Sequence, residues 1–178
     1  MPILVEPTTA VRRSFLEAWA ELDDSEQRWM GARGFFQEWS REQAEDPVEF
    51  ARMVDAIKAQ ADESVPPPAD IVHETMLWFV DGIDWIGRVA IRHDLTPALL
   101  ELGGHIGYFV RPSARRRGYA TQMLTQSLPI AARLGIDPAL LTCDEDNEVS
   151  RRVILAAGGE LEDERHGKLR FWVPTRTS

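Results

Sequence analysis

The chain has 178 residues, 44% of them apolar and 28% charged, which suits one domain with a sizeable core. A formal net charge of −9 excludes a broad nucleic-acid surface, and no stretch approaches the roughly 20 apolar residues of a membrane span. A single cysteine, Cys143, excludes an internal disulfide, and the N-terminus lacks a basic region followed by an apolar one, so the expectation is a cytoplasmic protein.

In chain order, Ile3 to Val5 reads as a short strand. Thr8 or Thr9 can cap a helix to about Leu22, because Val11, Phe15, Leu16 and Trp19 fall on one stripe. A second helix is expected from Gly31 to Arg41. A third runs from Pro47 to about Ala61, with Phe50, Met53, Val54 and Ile57 at helical spacing. Pro66, Pro67 and Pro68 make a stiff connector inside the domain. Ile71 to Val80 and Trp85 to Arg92 read as a hairpin around Asp81-Gly82. Leu95 to Leu102 reads as a loop or short helix, followed by a central strand from Gly104 to Arg111. A helix from about Tyr119 to Leu134 contains Pro129 and closes at Gly135. Then come a strand over Ala139 to Cys143, a helix over Val149 to Ala157, and two strands, Glu160 to Glu164 and Lys168 to Val173.

The one dense basic cluster is Arg115-Arg116-Arg117, beside Arg111. It lies in Val110-Arg111-Pro112-Ser113-Ala114-Arg115-Arg116-Arg117-Gly118-Tyr119-Ala120, between an apolar strand and an amphipathic helix. A helix N-terminus offers unpaired N–H groups and partial positive charge; Gly118 permits an unusual turn, Ala120 leaves room, and arginines add charge. This combination suits a pyrophosphate, and a solvated basic loop is the bland alternative. No lysine follows the glycine as in a nucleotide-hydrolysing phosphate loop, and no G-x-G-x-x-G is present. No Cys/His set has zinc spacing, and no serine-hydrolase elbow occurs, so no metal is expected.

Arg115-x-x-Gly118-x-Ala120 after Val110-x-Pro112 resembles the coenzyme A signature [QR]-x-x-G-x-[GA] of the GNAT superfamily of N-acetyltransferases. The segment Leu141 to Ser150, followed by Gly158-Gly159, resembles the second cofactor-contacting section of that family. Gly87 to His93 and Gly103-Gly104-His105-Ile106-Gly107-Tyr108 resemble a bacterial branch of predicted acetyltransferases. The likeness covers about Ile71 to Val173.

The resemblance implies an α/β fold with a mixed, mostly antiparallel central sheet, helices on both faces, and a splay between the strands ending near Arg111 and Cys143. It implies one domain over 1–178, with a helical section over 1–70 covering the acceptor side and a cofactor-binding core over 71–174. It further implies transfer of an acetyl group from acetyl-CoA to a primary amine by direct attack in a ternary complex. Amides of Arg116, Arg117, Gly118, Tyr119 and Ala120, with Thr121 next along the helix, would hold the pyrophosphate, while Arg115 braces the loop or reaches phosphate. Phe109, Val110 and Arg111 would run beside the pantetheine arm, with the Val110 amide facing the thioester carbonyl. Asn147 and Ser150 match the N-x-x-[AS] element, as pantetheine contacts, as a helix cap, or as both. The tyrosine that many relatives carry seven residues after that asparagine is Ile154 here.

Base candidates are His105, where relatives often place a glutamate, then His93, Glu74 and Asp144. Cys143 ends an apolar strand and reads as an inert buried thiol. Of six tryptophans most are expected in the core, with Trp29 or Trp39 as candidates to line the acceptor pocket. The acidic remainder of the surface would favour a cationic acceptor by steering. The acceptor itself, a small molecule or a peptide amine, stays open, as does a homodimer. Two other readings are an acyl-CoA-binding sensor without catalysis and an adaptor using the arginine cluster on an anionic partner.

Overall fold

The computed structural model describes residues 1–176. Seven strands and five α-helices follow in the order β1 (Ile3–Val5), α1 (Arg12–Ala20), α2 (Arg41–Glu45), α3 (Pro47–Ala59), β2 (Glu74–Asp81), β3 (Asp84–Arg92), β4 (Ile106–Val110), α4 (Tyr119–Arg133), β5 (Ala139–Asp144), α5 (Glu148–Ala156), β6 (Glu160–Arg165) and β7 (Lys168–Val173). Among the described residues no helix is long and apolar enough to cross a membrane.

Local chemistry sets the helix starts. Thr8 caps a 3-10 turn, its hydroxyl accepting from the Ala10 N–H, and that turn feeds α1. Ser40 and Gln43 form a reciprocal capping box at α2. Asp46 accepts from the Val48 and Glu49 N–H groups, and Pro47 takes the first position of α3.

The helix expected over 31–41 does not form. A 3-10 turn, Gln27–Met30, stops at Gly31 in the left-handed region (φ 69°), and Arg33 bridges back to Glu38. Two glycines within four residues make a continuous helix costly here, and the helix waits for the cap at Ser40.

The strands form two antiparallel sheets, ordered β1-β2-β3-β4 and β5-β7-β6. Period-two alternation sends β2 into two cores. Met76, Trp78 and Val80 meet α1 and α3 on one face, while Leu77 and Phe79 meet α4, α5, β5 and β7 on the other. Ile86 is an extra residue in β3, because Phe79 pairs with Gly87 but Val80 pairs with Trp85. Past this bulge, Val89 and Ile91 stay in the second core, and Ala90 turns to the first. The first core centres on Phe15, stacked on Trp78 at 4.8 Å and edge-on to Phe50 and Trp85. Such pairs contribute about 0.5–1.5 kcal/mol each beyond their buried area. Four tryptophans (19, 39, 78 and 85) are buried, and Trp29 is 42% exposed.

The two sheets meet at one joint. Gly104 bridges Leu141, the His105 N–H donates to the Leu140 carbonyl at 2.7 Å, and the Leu140 N–H donates to His105 Nδ1 at 2.9 Å. Beyond it β4 and β5 diverge, the splay expected from the resemblance. Gly104 sits at φ 67° and ψ −175°, and a Cβ there would strike the Leu140 carbonyl oxygen. Gly104→Ala is therefore expected to destabilise the fold by about 3 kcal/mol, lowering Tm by roughly 6–12 °C in a thermal melt.

Candidate cofactor and acceptor site

β4 ends at Val110, Pro112–Ala114 forms a 3-10 turn, and α4 starts behind Gly118. Arg116 (φ 61°) and Gly118 (φ 75°) both take the left-handed conformation. The arginine does so at a cost of about 1–2 kcal/mol. Alternation of this kind turns successive N–H groups toward one side, making a concave nest for an anion. No side chain caps α4, and among the described residues nothing accepts from the N–H groups of Arg116 through Thr121. A Cβ at Gly118 would meet nothing within 4 Å, so conformation rather than crowding selects the glycine.

The arginines divide their work. Arg115 braces the loop: Nε donates to the Val110 carbonyl at 3.1 Å, a terminal nitrogen reaches Glu26 at 2.6 Å, and the guanidinium lies over the Phe109 ring. Arg111 is committed to the fold, bonded to Glu21, Ser14 and the Trp85 carbonyl. Glu21 also accepts from the Ser113 N–H and hydroxyl; burial pushes its carboxyl up, but these partners outweigh that and hold it low. Arg116 and Arg117 are exposed and make no ion pair among the described residues.

The β3–β4 ladder decides which strand amides are free. The Arg92 N–H donates to the His105 carbonyl and the Arg111 N–H to the Ile86 carbonyl, so with this register Gly107 and Phe109 also bond toward β3. Ile106, Tyr108 and Val110 turn their N–H groups the other way, toward the splay, while the Val110 carbonyl is taken by Arg115 Nε. Of the three residues expected beside the pantetheine, Phe109 and Arg111 have backbone groups that serve β3, and the Arg111 carbonyl is taken by the Ala114 N–H. Val110 keeps its expected aspect, and Tyr108 joins it.

Tyr108 was missed at the sequence level because a strand tyrosine among apolar neighbours reads as packing. Its hydroxyl spans the splay to Ser150 Oγ at 2.6 Å, and burial pushes it up to about 12. Asn147 caps α5, with Oδ1 accepting from the Ser150 N–H at 3.0 Å. Cys143 is buried and its thiol pushed up by burial, in keeping with an inert role.

On the face opposite α4 and α5, β4 carries His105, Gly107 and Phe109 beside Arg92, Ala90 and Arg88 of β3. Gly107 leaves a hollow whose neighbour within 4 Å of a built Cβ is the Arg92 guanidinium. Arg92 pairs with Glu74 at 3.6 Å. Arg88 is 9% exposed, donates from Nε to the Trp29 carbonyl and lies against Met76 Sδ. Burial, with Arg92 and Arg33 nearby, lowers Arg88 to about 10 despite Glu74. Trp39 is buried instead, its indole N–H on Glu49. Hollows of about 420 and 240 Å³ lie elsewhere, over α1 and between residues 34–39 and α3. The cleft beside Val110 is thus a parting of strands rather than an enclosed cavity.

Residues 8–160 match the family described as Acetyltransferase (GNAT) domain. The chain belongs to the GNAT acetyltransferase family. No curated protein matches it in sequence. Among solved structures it is similar to Mycobacterium smegmatis RimJ in complex with CoA-disulfide: TM-score 0.64, 15% identity, 97% of this chain and 81% of that one. The RimL ribosomal L7/L12 alpha-N-protein acetyltransferase in complex with coenzyme A gives 0.59, 15%, 96% and 92%. The PaiA N-acetyltransferase from Thermoplasma acidophilum in complex with coenzyme A gives 0.55, 12%, 98% and 99%. At these identities the likeness establishes the GNAT fold.

Within this GNAT fold the sequence-level base candidates fare poorly. His105 Nδ1 accepts from the Leu140 N–H, which places the neutral ring's proton on Nε2 and leaves no lone pair for a substrate proton. It also lies five residues from Val110, roughly 17 Å along the strand. His93 is held between Glu63 and Thr75, beyond the start of β4. Glu74 neutralises Arg92, and Asp144 pairs with Lys168. Ile154 is fully buried, so the position of the usual tyrosine is core.

Burial lowers the His105 pKa, with Arg92 adding to it and Asp94 opposing. The unfolded chain then binds the proton more readily, so stability rises with pH until the unfolded imidazole is neutral, above about 6.5, and is lost as pH falls below it. Urea melts from about pH 8 to about pH 5 are expected to show this slope, and His105→Asn to flatten it.

Proposed function

We propose that the protein transfers an acetyl group from acetyl-CoA to an amine by direct attack in a ternary complex. The observation that carries this reading is the run of unclaimed N–H groups from Arg116 to Thr121, turned inward by the left-handed Arg116 and Gly118, at the mouth of a strand splay. These residues fit the pyrophosphate of coenzyme A, a dianion matched by backbone donors and the positive end of α4. Arg116 and Arg117 add charge from the rim, and Arg115 keeps the loop in shape. Acetyl-CoA supplies an acyl thioester, whose carbonyl carbon is the electrophile.

The chain's own groups then orient and stabilise. The gap-facing Val110 N–H, with that of Tyr108 one step deeper, offers a donor to the oxygen on which negative charge grows, an effect worth about 3 kcal/mol. The Asn147 amide nitrogen is left for the pantetheine once Oδ1 has capped α5. Tyr108, whose hydroxyl is pushed up by burial and bonded to Ser150 Oγ, serves as a hydrogen-bonding group across the splay rather than as an acid. With no carboxylate or free imidazole in the rows of Gly107 and Phe109, the ammonium proton leaves through water, and coenzyme A departs as a thiolate. The buried Ile154 favours a second reading, an acyl-CoA-binding sensor without turnover. An amine panel with free-thiol detection separates them, since thiol release with any amine removes the sensor reading.

Gly118→Glu is expected to weaken coenzyme A binding at least about 100-fold in calorimetry while the circular dichroism spectrum is kept, because it sets a carboxylate among the phosphate-facing amides. Affinity equal to wild type would remove the pyrophosphate assignment.

A further inference from the structure

Resting on the acetyltransferase reading, the arginines on the face of β3 turned away from α4 narrow the acceptor. Three other arginines that are buried or half-buried each have a carboxylate at hand: Arg170 has Asp163 and Glu162, Arg111 has Glu21, and Arg92 has Glu74. Arg88 does not. It is 9% exposed, it makes no ion pair among the described residues, and its protein partners are a carbonyl and a thioether. A cation held out of water with no ion pair of its own, Glu74 acting on it only from beyond contact while paired to Arg92, is an arrangement folded chains avoid unless a ligand completes it.

Its position is as telling as its burial. Arg88 pairs in register with Phe109, and Arg92 lies across from His105, so the two guanidinium-bearing residues sit diagonally on either side of the Gly107 row. Gly107 has no side chain to fill the space, and that face lies away from α4, where the pyrophosphate would sit. An amine reaching a thioester in the splay from this side would pass between them. The charge here opposes that of the whole molecule. Arg88, Arg92 and Arg33 act on one another with Glu74 as the carboxylate among them, in a chain of net charge −9. A cationic acceptor drawn by the acidic surface would be repelled at this point.

We propose that the acceptor is a small amine bearing a carboxylate, seated on Arg88 with Arg92 beside it. The test uses pairs in which the one carboxylate is replaced by a carboxamide: methionine with methioninamide, alanine with alaninamide, β-alanine with β-alaninamide, and spermidine as a plain amine. The protein, with acetyl-CoA, is followed by free-thiol release, and binding to its coenzyme A complex is followed by calorimetry. At least one acid is expected to exceed its amide by about tenfold or more in kcat/KM. Arg88→Gln should bring the acid down to the level of its amide through a raised KM, with coenzyme A affinity as in wild type. Arg88→Lys, which keeps the charge, should restore part of the preference, and Arg33→Gln, at an exposed site, should weaken it by about two- to threefold.

Equal turnover of acid and amide, preference for spermidine, or a preference that survives Arg88→Gln would overturn the proposal. So would a panel in which no acid is bound or turned over by a protein that binds coenzyme A. Failure to bind coenzyme A at all would instead remove the acetyltransferase reading. If Arg88→Gln does not fold, the Lys and Arg33 variants decide: both matching wild type on every pair overturns the assignment.

Discussion

Everything about the site depends on how two sheets are held together at one end only. The exchange between His105 and Leu140, with Gly104 pressed against the Leu140 carbonyl, ties the start of β4 to the start of β5. Had the ladder continued, the outward amides of Tyr108 and Val110 would have found partners in β5, and neither strand edge would be open. Because it stops, a length of β4 presents unpaired backbone groups inside the molecule. Such an edge is costly unless something pairs with it. A chain-like ligand carrying its own amides is the natural occupant, and an anion nest at the mouth of the same splay gives that ligand an end to hold.

The arginines follow one logic with three outcomes. Where a guanidinium is needed to fix backbone, as at Arg111 and Arg115, it is given a glutamate from the end of α1 or just beyond it, so the N-terminal section staples the phosphate loop to the body of the protein. Where charge is needed in solution, Arg116 and Arg117 are left exposed. Among the described residues only Arg88 is buried with no ion pair. Counting residues in the basic run therefore misleads, since the cluster's first member and its neighbour Arg111 are structural and the buried cation without an ion pair lies on another strand.

Much of the fold was legible because its signals are local. The cap at Thr8, Pro47 at the start of α3, the turn at Asp81-Gly82 and the glycine before α4 each act within a few residues, and the strands and helices fall close to where they point. The anion loop was legible for the same reason. Ladder parity was not. Which of Phe109, Val110 and Arg111 faces the splay depends on the register with β3, which the sequence of β4 does not fix. The role of His105 was hidden likewise, because a histidine beside a strand gives no sign that a backbone N–H thirty-five residues on will claim its Nδ1.

The segment where local reading failed outright is also the one that meets the open face. Residues 31–41 have helical neighbours and apolar content, yet the chain there is irregular, with Gly31 left-handed and packed against the Arg88 side chain. The Trp29 carbonyl that receives Arg88 belongs to the 3-10 turn Gln27–Met30 just before this stretch, so the guanidinium is oriented by a neutral acceptor and makes no ion pair among the described residues. A carboxylate in that place would bind it more strongly and silence it. The departure from regular structure and the unpaired cation are thus two sides of one arrangement: the connection between α1 and α2 aims the cation without consuming it, as sequence rules broken at functional sites commonly do.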